Sequence, residues 1–435
     1  MKRRSFIRNA ALTGAGMIAA PYILPGGRLF AASGSRIANH VVFCMFAGGI
    51  RNLDSVQKAD GNLMCGLLTG TESLSADIAS QMHPLPALPG ASLQTQGTLF
   101  KEFRYKSGPS GHYNGHTTAI TGRYTDNSLS LLERPPYPTV FEMYRKHSSP
   151  DKSAMNAWWI SHTNELYPIL NYSTYGGYGP DFGANQLSPT NLFNSRVRDA
   201  YSNPLSIDQA KEADLKQIRD FMDGGFKSSG LNLNSGIANT EADRMAIQQF
   251  LDAMYTEHYA GQHNNPWGMS NPAIMNGDMR NVFYAEKVMQ QFKPELLVVN
   301  MFGVDVCHSD FTSYCNNLRK ADWAVNHLWQ TIQNTPGMAN DTILIIAPEI
   351  GRNAQENTIK DINGRGGLDH TTDDSMSREL FCLIVGPPSM VKQNQVINQV
   401  EGESIDIVPT IARILGFDTD LQQSLPGQHL GAAFV

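Results

Sequence analysis

The chain of 435 residues predicts a three-layer α/β/α sandwich around a mainly parallel sheet. Three observations carry that expectation. Short apolar runs with little polar alternation recur at residues 41–46, 296–301, 342–346 and 380–385, as strands buried on both faces require. Stretches of helical period lie between them, and that alternation marks βαβ units. Polar residues gather just after the apolar runs, at the strand ends where open α/β sheets bind ligands.

The elements follow in chain order. Residues 41–46 form a first core strand that leaves through Ala47-Gly48-Gly49. Residues 80–110 are rich in Pro, Gly and Ser. Residues 140–146 read as a helix after Pro135-Pro136-Tyr137-Pro138, and residues 157–160 as a short buried strand whose Trp158 and Trp159 line the core or a pocket wall. Residues 171–203 are rich in Asn, Tyr, Gly and Ser without any period, which predicts an irregular segment folded over the site. Ser206 with Gln209, and Thr240 with Asp243, look like capping boxes before amphipathic runs, the first closed by Gly224-Gly225. Residues 278–291 form a further helix stopped by Pro294. Beyond it Tyr314, Leu318, Ala321, Val325, Leu328 and Ile332 recur at spacings of three and four, one buried helix face.

The amino end reads as an address rather than a fold. Arg3-Arg4 precede Ser5-Phe6-Ile7-Arg8 and a weakly apolar run with Gly14 and Gly16, the pattern of a bacterial twin-arginine (Tat) signal over residues 1–32. Periplasmic or otherwise exported localisation follows, with the Tat machinery as a partner. Residues 38–435 then form one large α/β domain with an irregular and helical insertion over residues 165–275, since no composition break marks a linker. A formal charge of −6 supplies no basic field for nucleic acid or anionic lipid. No other segment approaches membrane-spanning length. Five cysteines allow at most two disulfides. Cys44 and Cys382 fall in buried strands as small hydrophobes, while Cys307 and Cys315 are close enough in sequence to pair across a loop.

Two clusters carry chemistry. After the strand at residues 296–301 come Asp305, His308 and Asp310, oxygen and imidazole donors that suit a divalent cation. After residues 342–346 come Glu349, Gly351 and Arg352, and a Gly-rich loop then leads to Asp369-His370. His370 is the natural third ligand beside Asp305 and His308. Arg352, a guanidinium past a strand end, suits a bidentate anion clamp.

The order of these motifs resembles the alkaline phosphatase and sulfatase superfamily. The tail Asp406-Ile407-Val408-Pro409-Thr410, followed by an apolar helix to Leu415-Gly416, is similar to the C-terminal helix of sulfatases, with Asp406 as its cap. The closest likeness is to a branch of Tat-exported, sulfatase-like proteins of unknown function. That branch shows an early apolar strand ending in Gly-Gly, a Gly-His segment before a Gly (Gly115-His116 to Gly122), and a Glu-apolar-Gly-Arg … Asp-His pair. The resemblance covers roughly residues 40–125 and 280–420. It implies an alkaline-phosphatase-like fold, a zinc or calcium ion, and an anionic phosphate or sulfate ester or a glycan as substrate. Asp305, His308, Glu349, Asp369 and His370 become metal-site candidates, with Asp369 either a ligand or a carboxylate orienting an imidazole. His112, His116 and Arg352 become catalytic candidates.

The sequence departs from the superfamily pattern in four places. Asp305 and His308 lie three apart, whereas the family spaces its Asp and His four apart with a Gly before the His. Gly48 stands where hydrolases carry the first-strand Asp, and Glu349-Ile350 where they carry Asp-His. His112 stands in the nucleophile slot, where it either forms a covalent phosphohistidine-type intermediate or orients a water, with Ser110 a substitute. Absence of Cys there argues against a formylglycine sulfatase. Three functions remain: a metal-dependent ester hydrolase, a catalytically inactive sulfatase-like binding or scaffold protein of the cell envelope, and a metal-stabilised subunit of an exported complex.

Overall fold

A computed structural model describes residues 35–435 apart from 60, 89, 127–132, 150–152, 162–167, 190–192, 194–235 and 422–424. The expected Tat signal and the helix predicted after Ser206 lie outside the described residues. Eight strands form one sheet: β1 (His40–Phe46), β2 (Gly97–Arg104), β3 (Ala157–Ile160), β4 (Asn185–Leu187), β5 (Leu296–Met301), β6 (Thr342–Pro348), β7 (Glu379–Val385) and β8 (Gln395–Glu403). Their spatial order is β4-β3-β5-β1-β6-β7-β2-β8. β1 sits at the centre, paired in parallel with β5 (Phe43 opposite Val298) and β6 (Phe43 opposite Ile345).

Every strand except β7 runs the same way. The exception has a geometric cause. A parallel partner needs a crossover back to the opposite edge of the sheet. The chain after β6 makes none: residues 349–378 stay at the edge where β6 ends, so β7 can only return antiparallel.

Strand residues alternate between two cores, one per face. Val42, Cys44 and Phe46 enter the first, with Met279, Val282, Leu318 and Val325 of the covering helices. Val41, Phe43 and Met45 enter the second, with Ile120, Phe141 and Ile411. Helices α1 (His112–Thr121), α2 (Val140–His147) and α6 (Ile407–Leu415) cover that second face. Helices α3 (Glu241–Tyr259), α4 (Gly277–Phe292) and α5 (Phe311–Asn334) cover the first. The three-layer α/β/α architecture is therefore the one the apolar runs predict, and Trp158 and Trp159 are core rather than pocket wall.

Local signals are realised with few exceptions. Thr240 and Asp243 form the reciprocal capping box of α3. Lys293, in the left-handed region at φ 46°, ends α4 just before Pro294. Asp406 occupies the cap position of α6 but does not cap it. Its carboxylate instead accepts from the backbone N–H of Glu403 (2.9 Å) and of Gln428 (2.7 Å), tying the tail to the helix start. The described part of the Asn- and Tyr-rich segment docks on α2, where buried Glu142 accepts from Ser173 N–H, Ser173 Oγ and Gly179 N–H. Cys307 and Cys315 are free thiols, as are the other three cysteines. Among the described residues no helix is long and apolar enough to cross a membrane.

Candidate metal centre

The site lies at the C-terminal edge of the central strands, as expected for an open parallel sheet. β1 ends in Gly48-Gly49, β5 runs into a 3-10 turn (Gly303–His308), and β6 runs into Glu349. The segment after β6 returns to the same edge with Asp369 and His370, and α1 points its first residue, His112, at them. The 3-10 turn explains the unusual spacing of Asp305 and His308. Residues three apart eclipse one another on such a helix, so both face the site, with His308 Nε2 3.6 Å from Asp305 Oδ1.

Gly48 is required by close approach. At φ +101° a side chain is strained, and its Cβ would lie 2.7 Å from the backbone N of Asp305. No carboxylate can therefore extend from position 48 in this backbone.

Four side chains converge: one ligand atom each from His112, Asp305, His308 and His370 lie within 4.8 Å of one another. Donors at about 2.0–2.2 Å from a tetrahedral zinc stand about 3–4 Å apart, so small rotamer adjustments close this set on one ion. The imidazoles are preset for it. His308 places Nδ1 2.7 Å from Asp369 Oδ1, which leaves Nε2 facing the cluster. His370 places Nδ1 2.6 Å from the carbonyl oxygen of Ser110, its N–H donating, while its Nε2 is buried without a hydrogen-bond partner. A buried imidazole nitrogen with a free lone pair beside a carboxylate is an observation that fits a cation.

Electrostatics agree for His308 and His370. Burial, with the positive charges of His112 and Arg352 nearby, pushes His370 down to about 3, so its ring is neutral near pH 7. Burial and Arg352 also lower His308. Burial works against a charge on His112, yet Glu349 and Asp305 more than offset it and raise His112 to about 9. Burial likewise works against the charges of Asp305 and Glu349. His112 and Arg352 hold Asp305 well below the usual carboxylate range, and His116 and His112 hold Glu349 at about 2. A His112 imidazolium thus bridges two carboxylates, with Nε2 3.0 Å from Asp305 Oδ1 and Nδ1 2.8 Å from Glu349 Oε1.

The remaining sequence candidates lie outside the quartet. Glu349 is fully buried behind His112, accepts the Gly48 N–H at 2.5 Å and touches His116 Nδ1 through its other oxygen. It shapes the site from beneath. Asp369, also bonded by Asn357 Nδ2 (3.2 Å), is the carboxylate that orients His308. His116 is wholly buried, with Nε2 3.2 Å from Asn300 Oδ1, and does not face the opening. Arg352 does not stand out as an anion clamp: its guanidinium is fully buried and donates to Asp305 Oδ1 (2.6 Å), Leu368 O (2.8 Å) and Gly48 O. Ser110 is no exposed nucleophile, since its Oγ donates to the His370 carbonyl at 2.8 Å.

Two features escaped the sequence reading. His112 as a fourth donor was hidden by its place in a nucleophile slot, although His112 and His116 four apart already implied a shared helix face. Asn300 was visible as an amide inside an otherwise apolar strand, a signal of a buried polar contact.

No family model and no curated protein matches this chain. Solved structures resemble its fold. A protein in the alkaline phosphatase superfamily from Vibrio parahaemolyticus matches at TM-score 0.42 and 10% identity, over 91% of this chain and 71% of its own. A phosphonate monoester hydrolase from Silicibacter pomeroyi matches at 0.44 and 11%, over 90% and 75%. A 2-O glycosaminoglycan sulfatase matches at 0.46 and 9%, over 91% and 73%. At such identity the likeness says nothing of this chain's substrate.

Proposed function

We propose that this chain is a metal-dependent hydrolase of an anionic phosphate or sulfate ester, exported by the Tat pathway to act in the periplasm or beyond. One observation carries the reading: His112, Asp305, His308 and His370 converge at the strand ends with their ligand atoms within 4.8 Å. Three imidazoles and one carboxylate suit zinc, whereas calcium takes six to eight oxygen ligands. When bound, such a cation supplies Lewis-acid polarisation of an ester oxygen and a reactive water near neutral pH.

The chain's own residues hold that arrangement. Asp369 fixes the His308 tautomer and the Ser110 carbonyl fixes that of His370. Arg352 fixes the Asp305 carboxylate. The ester class rests on the order of the sequence motifs, and export on the twin-arginine pattern.

The test is metal analysis of protein purified without chelators, followed by a screen of aryl phosphates, phosphodiesters and aryl sulfates with zinc-loaded protein. Turnover lost in His370→Ala supports the hydrolase. Folded, zinc-loaded protein that turns over none of them leaves the second reading, a sulfatase-like binding protein, which the burial of Ser110 favours.

A further inference from the structure

Helix α4 begins beside the turn that carries Asp305 and His308, and its first two turns reach both halves of the donor set. Asp278, fully buried, accepts the Phe302 N–H at 2.7 Å and the Gly303 N–H at 3.0 Å through Oδ1, and the Gly303 N–H at 3.0 Å through Oδ2. Those two peptides open the 3-10 turn that carries Asp305 and His308. The Gly303 carbonyl is held from the other side by Asn317 Nδ2 at 2.7 Å, and Asn317 is itself held by Asn276, the cap residue of α4, at 3.1 Å. There is no slack in this clamp: a Cβ on Gly303 would lie 2.6 Å from Asp278 Oδ2.

One turn further on, Asn281 lies on the same helix face as Asp278. Its Nδ2 donates to the Asn300 carbonyl at 2.8 Å, and Asn300 Oδ1 lies 3.2 Å from His116 Nε2. His116 abuts Glu349, and Glu349 holds His112 Nδ1 at 2.8 Å. A chain of buried polar contacts thus runs from α4 to the fourth donor. Burying polar groups is costly unless they are paired, so the pairings that Asp278 and Asn281 make from successive turns of one helix need a reason beyond packing.

We propose that the first two turns of α4 are the positioning element of the metal centre: Asp278 sets the turn bearing Asp305 and His308, and Asn281 sets His112 through Asn300, His116 and Glu349. The inference rests on the reading of the quartet as an ion site. Neither residue touches the ion; both act by fixing the separation of the donors.

The experiment measures zinc affinity of the full chain by chelator competition, together with amide hydrogen exchange of residues 303–308 in ion-free protein. Asp278→Ala and Asn317→Ala are expected to weaken zinc about 10- to 100-fold, the usual effect of removing a group that orients ligands. Asn281→Asp, which keeps shape but loses the donor, is expected to weaken zinc in the same direction. Leu251→Ala, in the core under α3, serves as a control that lowers thermal stability and leaves affinity unchanged. Should Asp278→Ala not fold, Asn317→Ala probes the same peptide from its other side. Wild-type affinity in folded Asp278→Ala or Asn317→Ala protein, or an equal loss in the control, overturns the proposal. Failure of the wild type to bind zinc overturns the ion reading instead. In that event faster exchange at residues 303–308 in Asp278→Ala, unmatched by the control, still supports positioning, and unchanged exchange refutes it.

Discussion

His112 Nε2 lies 3.0 Å from Asp305 Oδ1, joining the first residue of α1 to the 3-10 turn after β5. The contact places His112 among the donors rather than apart from them as a lone nucleophile. His112→Ala is therefore expected to weaken zinc binding by at least about 100-fold, beyond the 10- to 100-fold typical of residues that only orient ligands. Asp305→Ala and His370→Ala should lose it comparably. Isothermal titration with zinc reads this directly. A phospho- or sulfo-adduct trapped on His112 or Ser110 during turnover would show a covalent route and overturn the assignment.

Asp369 offers a milder perturbation. It fixes His308 Nδ1 at 2.7 Å but is about two-fifths exposed, so its replacement leaves little unpaired buried charge. Asp369→Asn is expected to lower zinc affinity about 10- to 100-fold with a shift in Tm of only a few degrees. A variant that binds zinc as the wild type does would show that His308 is held without it.

Arg352 acts on stability. Removing one partner of a buried pair strands the other, at a cost of about 3–5 kcal/mol. Arg352→Ala should cost up to about that much in urea unfolding, because two carbonyls lose their donor and Asp305 keeps His112 alone of its two charged partners. Arg352→Lys should not restore it, since an ammonium cannot span three acceptors in a fork. Stability within about 1 kcal/mol of wild type in Arg352→Ala would mean that the pair gives little net stabilisation.

Much of this was legible in the sequence, and what was not has local causes. The four runs read as strands became β1, β5, β6 and β7 because each is apolar on both faces and nothing competes with that signal. β2 was hidden inside a Pro-, Gly- and Ser-rich stretch, where Lys101, Glu102 and Arg104 interrupt the pattern and a register shift between Phe100 and Phe103 breaks the alternation. β8 is an edge strand with exposed Val396 and Val400, so it lacks the buried signature. Asp305, His308 and His370 were readable because oxygen and imidazole donors past a strand end are chemically conspicuous. The true place of Arg352 was not, since a guanidinium after a strand reads alike whether it faces outward to an anion or inward to a carboxylate; only the Gly48 and Leu368 carbonyls decide it.

The pH dependence of stability has a clear contributor away from the metal centre. Asp322 on α5 is buried under the segment around Gly66, and its two oxygens accept the Gly66 and Leu67 N–H groups at 2.8 Å each. Burial outweighs those bonds and pushes its carboxyl from 3.8 up to about 7. Because the folded value lies above the unfolded one, the folded state binds the proton more tightly. Asp322 therefore favours folding most at low pH and loses that contribution as pH rises from about 4 through about 7. The stability of wild type minus that of Asp322→Asn should accordingly fall across that interval in urea titrations at pH 4.5, 6 and 7.5. A difference that grows with pH would mean that Asp322 is folded as a stabilised carboxylate, with the backbone N–H groups winning over burial.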